Sequence, residues 1–288
     1  MKRNCPQCLS SHLNHVRNGF FLRTHSSTPP IQRYRCKLCR KEFSDATFQL
    51  RYRQRLRSIN GSVEKLLVTG TSLRKIAFTL NINRKTAERK FHYLSNKADL
   101  ELHRHLKQKE NIMEVQMDDM ESFEHTKMKP LSITLAVIKH QRFILGARVS
   151  RMPAKGLLAK RSVKKYGKRA DGRKSARNDL LKSLQENISS TATFETDEHP
   201  HYGQSIKEFF PHAQHVQHKG RRGCVVGQGE LKAGGFDPLF SLNHTCAMLR
   251  YQISRLVRKT WVTTKKPENL QRHINIYINY HNKKLIAA

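Results

Sequence analysis

The chain has 288 residues, enough for one main core and smaller modules in two or three domains. It carries 55 Lys and Arg against 22 Asp and Glu, a net charge of +33 with a pI near 10.4. Self-repulsion of this size lowers stability unless a polyanion binds. The alternative is a solvated cationic surface, but the composition favours a nucleic-acid partner.

The first residues contain no apolar segment of the secretory type, and the most apolar stretches, 131–138 and 143–149, are too short to cross a bilayer. The sequence therefore predicts a cytoplasmic, nucleoid-associated protein with no membrane partner. In a reducing compartment the six cysteines are not read as disulfides.

Two Cys-x-x-Cys pairs near the start predict a small zinc ribbon over residues 1–50. Each pair places two thiolates on one tight turn, and two such turns complete a tetrahedral zinc site. A redox pair or a chance spacing is the alternative. Zinc would supply folding energy that so short a segment lacks. The predicted zinc ligands are Cys5, Cys8, Cys36 and Cys39. The other two cysteines, Cys224 and Cys246, are isolated and are interpreted as small buried residues.

Residues 51–95 change to a helical period, with a stop at Gly70 and a short turn at 81–83. This pattern predicts a helix-turn-helix module, whose third helix enters the major groove. An ordinary three-helix bundle with a charged face is the alternative. The predicted groove residues are Asn83, Arg84, Lys85, Thr86, Arg89 and Lys90.

Residues 96–111 read as a polar linker helix, and 112–288 as a mixed α/β domain with five short strands and intervening helices. The predicted strands are 115–117, 132–139, 142–149, 192–196 and 215–217, and the predicted helices include 179–188, 205–209, 239–260 and 267–280. Within this domain, residues 151–178 are strongly basic. They are either a solvated loop or an insertion that contacts phosphates.

Two strand-like runs end in an aspartate flanked by another acid, at Asp118 and at Asp197. Either alone could be an ordinary strand-end cap. Acids are scarce in this chain, and beside a polyanion they are useful where they hold a cation that contacts it. Together they predict a site for two Mg²⁺ or Mn²⁺ ions, which would activate water or a DNA 3′-hydroxyl and stabilise the leaving oxygen.

Five histidines lie close together along the chain, and their spacing fits no single strand or helix face. We interpret them as DNA contacts or loop residues rather than as metal ligands. They are His199, His201, His212, His215 and His218.

The order of these features resembles the bacterial DDE transposases of the first insertion-sequence family. Residues 117–121 (Met-Asp-Asp-Met-Glu) are similar to that family's Leu-Asp-Glu-Met-Trp motif, with Glu121 where tryptophan is usual. Thr196-Asp197-Glu198 is similar to its Thr-Asp-Gly motif. Residues 254–260 and 263–268 resemble its C-terminal helix, so the resemblance covers nearly the whole chain.

The resemblance implies a ribonuclease H-like domain that cuts DNA at the terminal repeats of an insertion sequence and joins it to target DNA. It also implies a homodimer or higher oligomer on double-stranded DNA. The alternative function is a catalytically inactive, sequence-specific DNA-binding protein, such as a decayed transposase or a repressor. Zinc would be structural and the two Mg²⁺ or Mn²⁺ ions catalytic.

The family's third acid corresponds to Asn243 in this chain, whose carbonyl could ligate a metal with one fewer negative charge. Asp237 is the nearest acid, but Asp-Pro is also a typical helix start, with the aspartate as N-cap. Glu230 is on a Gly-rich segment that could fold back. The resemblance therefore implies Asp118, Asp197 and Asn243 as the catalytic set, with Asp237 and Glu230 open at the third position.

Overall fold

The computed structural model describes residues 3–22, 30–220, 235–257 and 263–287. The chain divides into two compact units, Met1–Ser58 and Ile59–Ala288. The first unit is longer than the predicted ribbon, and the second combines the helical segment, the linker and the α/β domain. The functional division into four modules stays a prediction.

The first unit is a three-stranded antiparallel sheet in the order β1-β2-β3, with a 3-10 turn on either side. Its strands are β1 (His15–Phe21), β2 (Ile31–Cys36) and β3 (Glu42–Ser44). Its apolar core consists of Cys5, Cys36 and Phe43, with Tyr34 and Cys39 packed against them.

The second unit begins with three helices, α1 (Asn60–Leu67), α2 (Leu73–Thr79) and α3 (Arg84–Leu106). The Asn83 side chain caps α3 by accepting from the Lys85 amide at 2.8 Å. Helix α3 continues across the predicted boundary at residue 95, because buried side chains recur along one face as far as Leu106. The predicted linker helix is thus the second half of α3.

A five-stranded sheet follows, in the order β6-β5-β4-β7-β8. Strand β5 is antiparallel to both of its neighbours, whereas β4, β7 and β8 are mutually parallel. This order and these directions are those of the ribonuclease H-like fold, and they confirm the predicted mixed α/β class. The strands are β4 (Ile112–Phe123), β5 (Pro130–Ile138), β6 (Ile144–Arg151), β7 (Ile188–Asp197) and β8 (Gln214–His218).

Five helices accompany this sheet: α4 (Leu158–Tyr166), α5 (Arg173–Ser183), α6 (His201–Phe209), α7 (Phe240–Gln252) and α8 (Pro267–Ala287). All four predicted helices differ from their predicted bounds: α6 starts four residues before 205, and α8 continues past 280 to Ala287. Helix α5 starts six residues before the predicted start at 179 and ends at Ser183, since Ile188 already begins a buried strand. Helix α7 ends at Gln252, followed by a 3-10 turn at Ser254–Leu256.

The sheet is covered on both faces. On one face Met120, Leu135 and Leu242 belong to a core shared with α1, α2, α3, α7 and α8. On the other face Met117, Leu145 and Leu180 pack with α5 and α6. None of the helices in the described ranges has the length and apolarity that a membrane span requires.

Candidate functional site

Strands β4 and β7 place Asp118 and Asp197 side by side. Gln116 of β4 pairs in register with Glu195 of the parallel strand β7, and each aspartate is two residues further along its own strand. Because side chains alternate between faces with a period of two, both carboxylates belong to the same face of the sheet. Adjacent parallel strands therefore bring together the two acids predicted as metal ligands.

The strand that holds Asp118 does not end there. Asp197 is the last residue of β7, but β4 continues to Phe123 because it stays paired with β5 through Pro130. The expectation that both aspartates terminate strands is wrong for Asp118. It lies where the pairing of β4 with β7 stops while the pairing with β5 goes on.

The carboxyl group of Asp118 is in a poor environment for negative charge. Burial raises its pKa to about 6, and the nearby charges of Asp197 and Asp119 act in the same direction. The Tyr202 hydroxyl donates to Asp118 Oδ1 at 3.3 Å. Across the described part of the chain, neither Asp118 nor Asp197 forms an ion pair with Lys, Arg or His. Two adjacent acids without a cation are an arrangement that a divalent metal ion stabilises.

Asp119, next in sequence, is in a different situation. It accepts hydrogen bonds from Thr134 Oγ1 and, at 3.1 Å, from Arg177 Nη1. The Arg177 side chain is only 3% exposed and also lies over the Tyr202 ring, 5.0 Å from its centroid. A buried ion pair thus neutralises Asp119, which distinguishes it from Asp118 although both are acids in the same motif.

Sequence reasoning missed Arg177 and Tyr202. In the sequence, Arg177 is one of many cations in a basic stretch, and nothing in its spacing marks it as buried. Its side chain reaches both Asp119 and Ser205 Oγ, the latter at 3.3 Å, because α5 and α6 pack side by side on the sheet. Only the packing of these helices identifies the residues that surround Asp118.

Gln116 fixes the start of helix α7 next to the aspartates. Its amide donates to the Pro238 carbonyl and to Glu195 Oε2, both at 2.8 Å, and its Oε1 accepts from the Leu242 amide at 3.2 Å. Lys139 Nζ binds the other oxygen of Glu195 at 2.6 Å. Because Gln116 is on the same face as Asp118, this network holds α7 beside the carboxylate pair.

The third predicted ligand is on this helix, but its side chain is exposed. Asn243 Nδ2 donates to Asp237 Oδ2 at 3.0 Å, so two of the three candidates for this position are bonded to each other. Burial raises the pKa of Cys246, also on α7, to about 12, and the charge of Asp118 acts in the same direction. Cys246 is one of the two cysteines predicted to be buried, and the other, Cys224, lies outside the described residues. Glu230 lies outside the described residues.

Asp237 is not the N-cap of α7. The helix begins at Phe240, and Asp237 instead accepts from the Leu239 amide at 3.0 Å in a turn before the helix. With a proline directly after it, the chain turns once more before helical hydrogen bonds form. The prediction that Asp237 is the N-cap is therefore wrong, but its carboxylate still caps a backbone amide, in the turn before the helix.

The four predicted zinc ligands converge. The sulfur atoms of Cys5, Cys8, Cys36 and Cys39 all lie within 4.8 Å of one another. The distance from Cys5 Sγ to Cys39 Sγ is 3.5 Å, and from Cys8 Sγ to Cys36 Sγ 3.6 Å. A tetrahedral zinc–thiolate site with bonds of about 2.3 Å requires sulfur separations near 3.8 Å, so the donor set fits such an ion.

Hydrogen bonds lower the pKa of Cys8 and Cys36 and so favour their thiolate form, whereas burial and the neighbouring sulfur atoms raise the pKa of Cys39 to about 12. The Cys39 amide and the Ser10 hydroxyl lower the pKa of Cys36 to about 6. Among the described residues, these cysteines are the only group of three or more His, Cys, Asp or Glu side chains close enough to share one ion. The aspartate pair therefore lacks a third His, Cys, Asp or Glu in ligand range within those residues.

The predicted groove residues are at the start of α3. Asn83, Arg84, Lys85 and Arg89 are exposed, and Thr86 is half-buried. Lys90 is 2% exposed, so it does not share their surface. It faces the core because it lies one helical turn after the buried Ala87.

Three of the five histidines contact strand β7 and its end. The His199 amide donates to Asp197 Oδ1 at 3.1 Å, and His215 Nε2 lies 2.9 Å from Thr196 Oγ1. His218 Nε2 is 3.8 Å from Glu195. His201 stacks near His199, with ring centroids 4.7 Å apart, whereas His212 is at the turn before β8.

No profile of a known protein family and no curated protein matches the chain. Among solved structures it is similar to the catalytic domain of Mos1 mariner transposase, with 16% identity, a TM-score of 0.27, and coverage of 69% of this chain and 93% of that one. It is also similar to the Mos1 transposase catalytic domain with raltegravir and Mn, with 15% identity, the same TM-score, and coverage of 69% and 94%. These scores are too low to assign a function.

Proposed function

We propose that this protein is a metal-dependent DNA strand-cleaving and strand-transferring enzyme, a transposase of an insertion sequence. The observation that carries the proposal is the adjacency of Asp118 and Asp197 on two parallel strands, where Asp118 has a raised pKa and no cation partner among the described residues. The chain has a net charge of +33, yet this acid pair has no cation partner in the described part of the chain. Such a pair is useful beside a bound polyanion if it holds a metal ion that contacts the polyanion.

In this proposal Asp118 and Asp197 would hold two Mg²⁺ or Mn²⁺ ions, which would supply the positive charge that activates water or a DNA 3′-hydroxyl and stabilises the leaving oxygen. The protein's own residues orient the site. The Tyr202 hydroxyl donates to one oxygen of Asp118. Arg177, which is paired with Asp119, lies over the Tyr202 ring and holds it in place. Gln116 holds the start of α7, the helix that contains Asn243, against the same face of the sheet as the pair.

The DNA partner is proposed to be double-stranded, with the exposed face of α3 reading the terminal repeats. The exposed residues are Asn83, Arg84, Lys85 and Arg89, the first of which also caps the helix. Target DNA would be held through phosphates by the cationic α/β domain. A bacterial, nucleoid-associated protein that acts as a homodimer or higher oligomer on DNA belongs to the same proposal.

The test is strand cleavage by the full chain with Mg²⁺ or Mn²⁺ and DNA that carries the repeats flanking its coding sequence. We expect nicking or joining by the wild type, and none by Asp118→Asn or Asp197→Asn. Both variants should bind DNA as well as the wild type or better, because negative charge near phosphate is removed. Glu186→Gln, a change of the same charge at an exposed position, is the matched control and should cleave normally.

The outcome that contradicts the proposal is an absence of cleavage where specific binding is saturated. One observation favours the alternative, a catalytically inactive DNA-binding protein: the residue predicted at the third position is an exposed Asn bonded to Asp237. Under the enzyme hypothesis, Asn243→Glu retains or raises cleavage. If Asp237→Asn or Glu230→Gln abolishes it in a folded protein, that acid is the third ligand instead.

A further inference from the structure

An open pocket of about 490 Å³ lies against strand β6, at an edge of the sheet and away from the aspartate pair. It forms where the last residues of β6 meet the loop that leads into α5. This loop belongs to the basic stretch 151–178, whose sequence fits either a solvated loop or an insertion that contacts phosphates. The residues that carry the argument are Arg148, Ser150, Arg151, Lys168, Arg169 and Gly172, all of which line the pocket.

The pocket is cationic. Four of its lining residues are Arg or Lys, and Asp179 is the acid among them. Arg169 is already held by Glu124, with both terminal nitrogens 3.4 Å from Oε2, so it forms a fixed wall. Arg151 is 58% exposed and 3.9 Å from the same carboxylate, and Lys168 is exposed. The positive charges that can contact a ligand are therefore those of Arg151 and Lys168, which form the rim of the pocket.

The wall of the pocket contains a buried hydroxyl group with no partner. Ser150 is only 8% exposed, and its Oγ has no hydrogen-bond partner among the described residues. Ser150 lies beside the start of α5, since a Cβ added to Gly172 would lie 3.4 Å from Ser150 Cβ. An unsatisfied buried hydroxyl lowers stability, and such groups in native proteins often mark a site that a ligand or water completes.

The start of helix α5 adds further donors. Gly172 is its N-cap and supplies no side-chain acceptor to the first turn. The first-turn amides of a helix have no acceptor within the helix, and the helix dipole favours an anion there. The Arg173 amide is bonded to Asp171 Oδ1 at 3.1 Å, so the donor of the first turn that remains for a ligand is the amide of Ser175, a residue that lines the pocket.

We propose that this pocket binds a phosphate group of the DNA backbone. The inference deepens the proposed function and rests on DNA being the partner. Asp118 is level with Leu135 of β5 and Ala147 of β6, and Ser150 is three residues further along β6. At about 3.3 Å per residue and about 4.8 Å per strand, the two positions are roughly 14 Å apart, at the same end of the sheet and on opposite faces. About four base pairs of duplex span that distance.

The experiment compares two double variants of the full chain in binding to a random-sequence duplex, without added divalent metal and without chelator. Arg151→Gln with Lys168→Gln removes two charges from the rim, and Lys160→Gln with Arg161→Gln removes the same two from exposed positions on α4. We expect the rim variant to lose roughly tenfold in affinity and about 1 in the slope of log K against log salt. In the α4 variant, the loss of affinity on a logarithmic scale and the change in slope should each be less than half of those in the rim variant. Equal losses in the two variants would overturn the proposal.

Ser150→Ala tests the pocket without changing charge. Because the hydroxyl is buried and unpartnered, its removal should leave thermal stability unchanged or raise it, while affinity for the duplex falls about threefold. A merely structural serine would show no loss of affinity, and wild-type affinity in this variant would count against the site.

Inorganic phosphate, titrated at constant ionic strength, separates a backbone phosphate from a free anion. Phosphate binding that depends on Arg151 and Lys168, together with unchanged duplex affinity in the rim variant, would show a free-anion site and overturn the DNA assignment. This assay measures DNA binding without catalytic metal. A protein that does not cleave DNA can therefore still bind through this pocket, and a protein that does not bind through this pocket can still cleave DNA.

Discussion

The two units of the chain reach stability by different means. Within its described residues, the first unit buries three apolar side chains, two of which are cysteines of the sulfur cluster. The second buries two extensive clusters on the faces of its sheet. A core as small as that of the first unit cannot offset chain entropy by itself, whereas the second has the core of an ordinary domain. We therefore expect a bound metal ion to stabilise the first unit and hydrophobic packing the second.

The largest effect is expected from the four cysteines. Zinc binding contributes about 10–16 kcal/mol to the folding of small zinc modules, so Cys36→Ser should unfold the first unit and leave the second with unchanged thermal unfolding. Cys246→Ala, which removes a buried cysteine of the second unit, is the control and should leave zinc content at one ion per chain. Protein purified without chelator and free of zinc would contradict the assignment.

The second unit should instead lose stability in acid, because a buried histidine is protonated less readily in the folded state than in the unfolded state. Burial lowers the pKa of His273 to about 4, while its Nε2 lies 2.9 Å from the Leu67 carbonyl. Its unfolded pKa is about 6.5, so the neutral ring stabilises the fold above that pH, and roughly 3 kcal/mol is lost as the pH falls from 6.5 to 4.

Urea denaturation at several pH values measures this loss. Relative to the wild type, His273→Gln should lose less stability as the pH falls from 6.5 to 4, whereas His103→Gln, at an exposed position of α3, should match the wild type. An identical pH dependence in all three proteins would show that His273 is not responsible.

The aspartate pair should weaken the second unit in the absence of metal. Since burial raises the pKa of Asp118 to about 6, its charge destabilises the fold above that pH and not below about 4. The Asp118 contribution to wild-type stability should therefore fall by roughly 1–3 kcal/mol as the pH rises from 4 to 6, opposite in sign to the His273 contribution, and it is measured as the difference between the wild type and Asp118→Asn.

Asp118→Asn removes this charge and should be the more stable protein at pH 7. Thermal unfolding without Mg²⁺ measures the difference, and Mg²⁺ should stabilise the wild type alone. The Glu186→Gln variant controls for net charge. If Asp118→Asn is destabilised at pH 7, the carboxylate is satisfied by the protein and the metal-site interpretation fails.

The smallest expected effect concerns DNA reading by α3. Arg89→Ala should lower affinity for the terminal repeat by roughly 1–3 kcal/mol and relax sequence preference, if the side chain contacts a base edge. Arg104→Ala, also exposed and on the same helix but several turns away, should change affinity little. Equal loss on repeat and random DNA would show that α3 contacts only phosphates.

Local patterns in the sequence determined the fold class, the sulfur cluster and the adjacency of Asp118 and Asp197. Hydrophobic alternation predicts strands wherever it occurs, and a Cys-x-x-Cys turn has few geometries, so neither depends on distant packing. Tertiary structure alone decided that Asp119 is neutralised by Arg177, that Lys90 is buried, and that Asn243 bonds to Asp237. The first depends on residues far apart in the chain, the other two depend on how helices α3 and α7 pack and begin, and the energy of a charge depends on what surrounds it after folding.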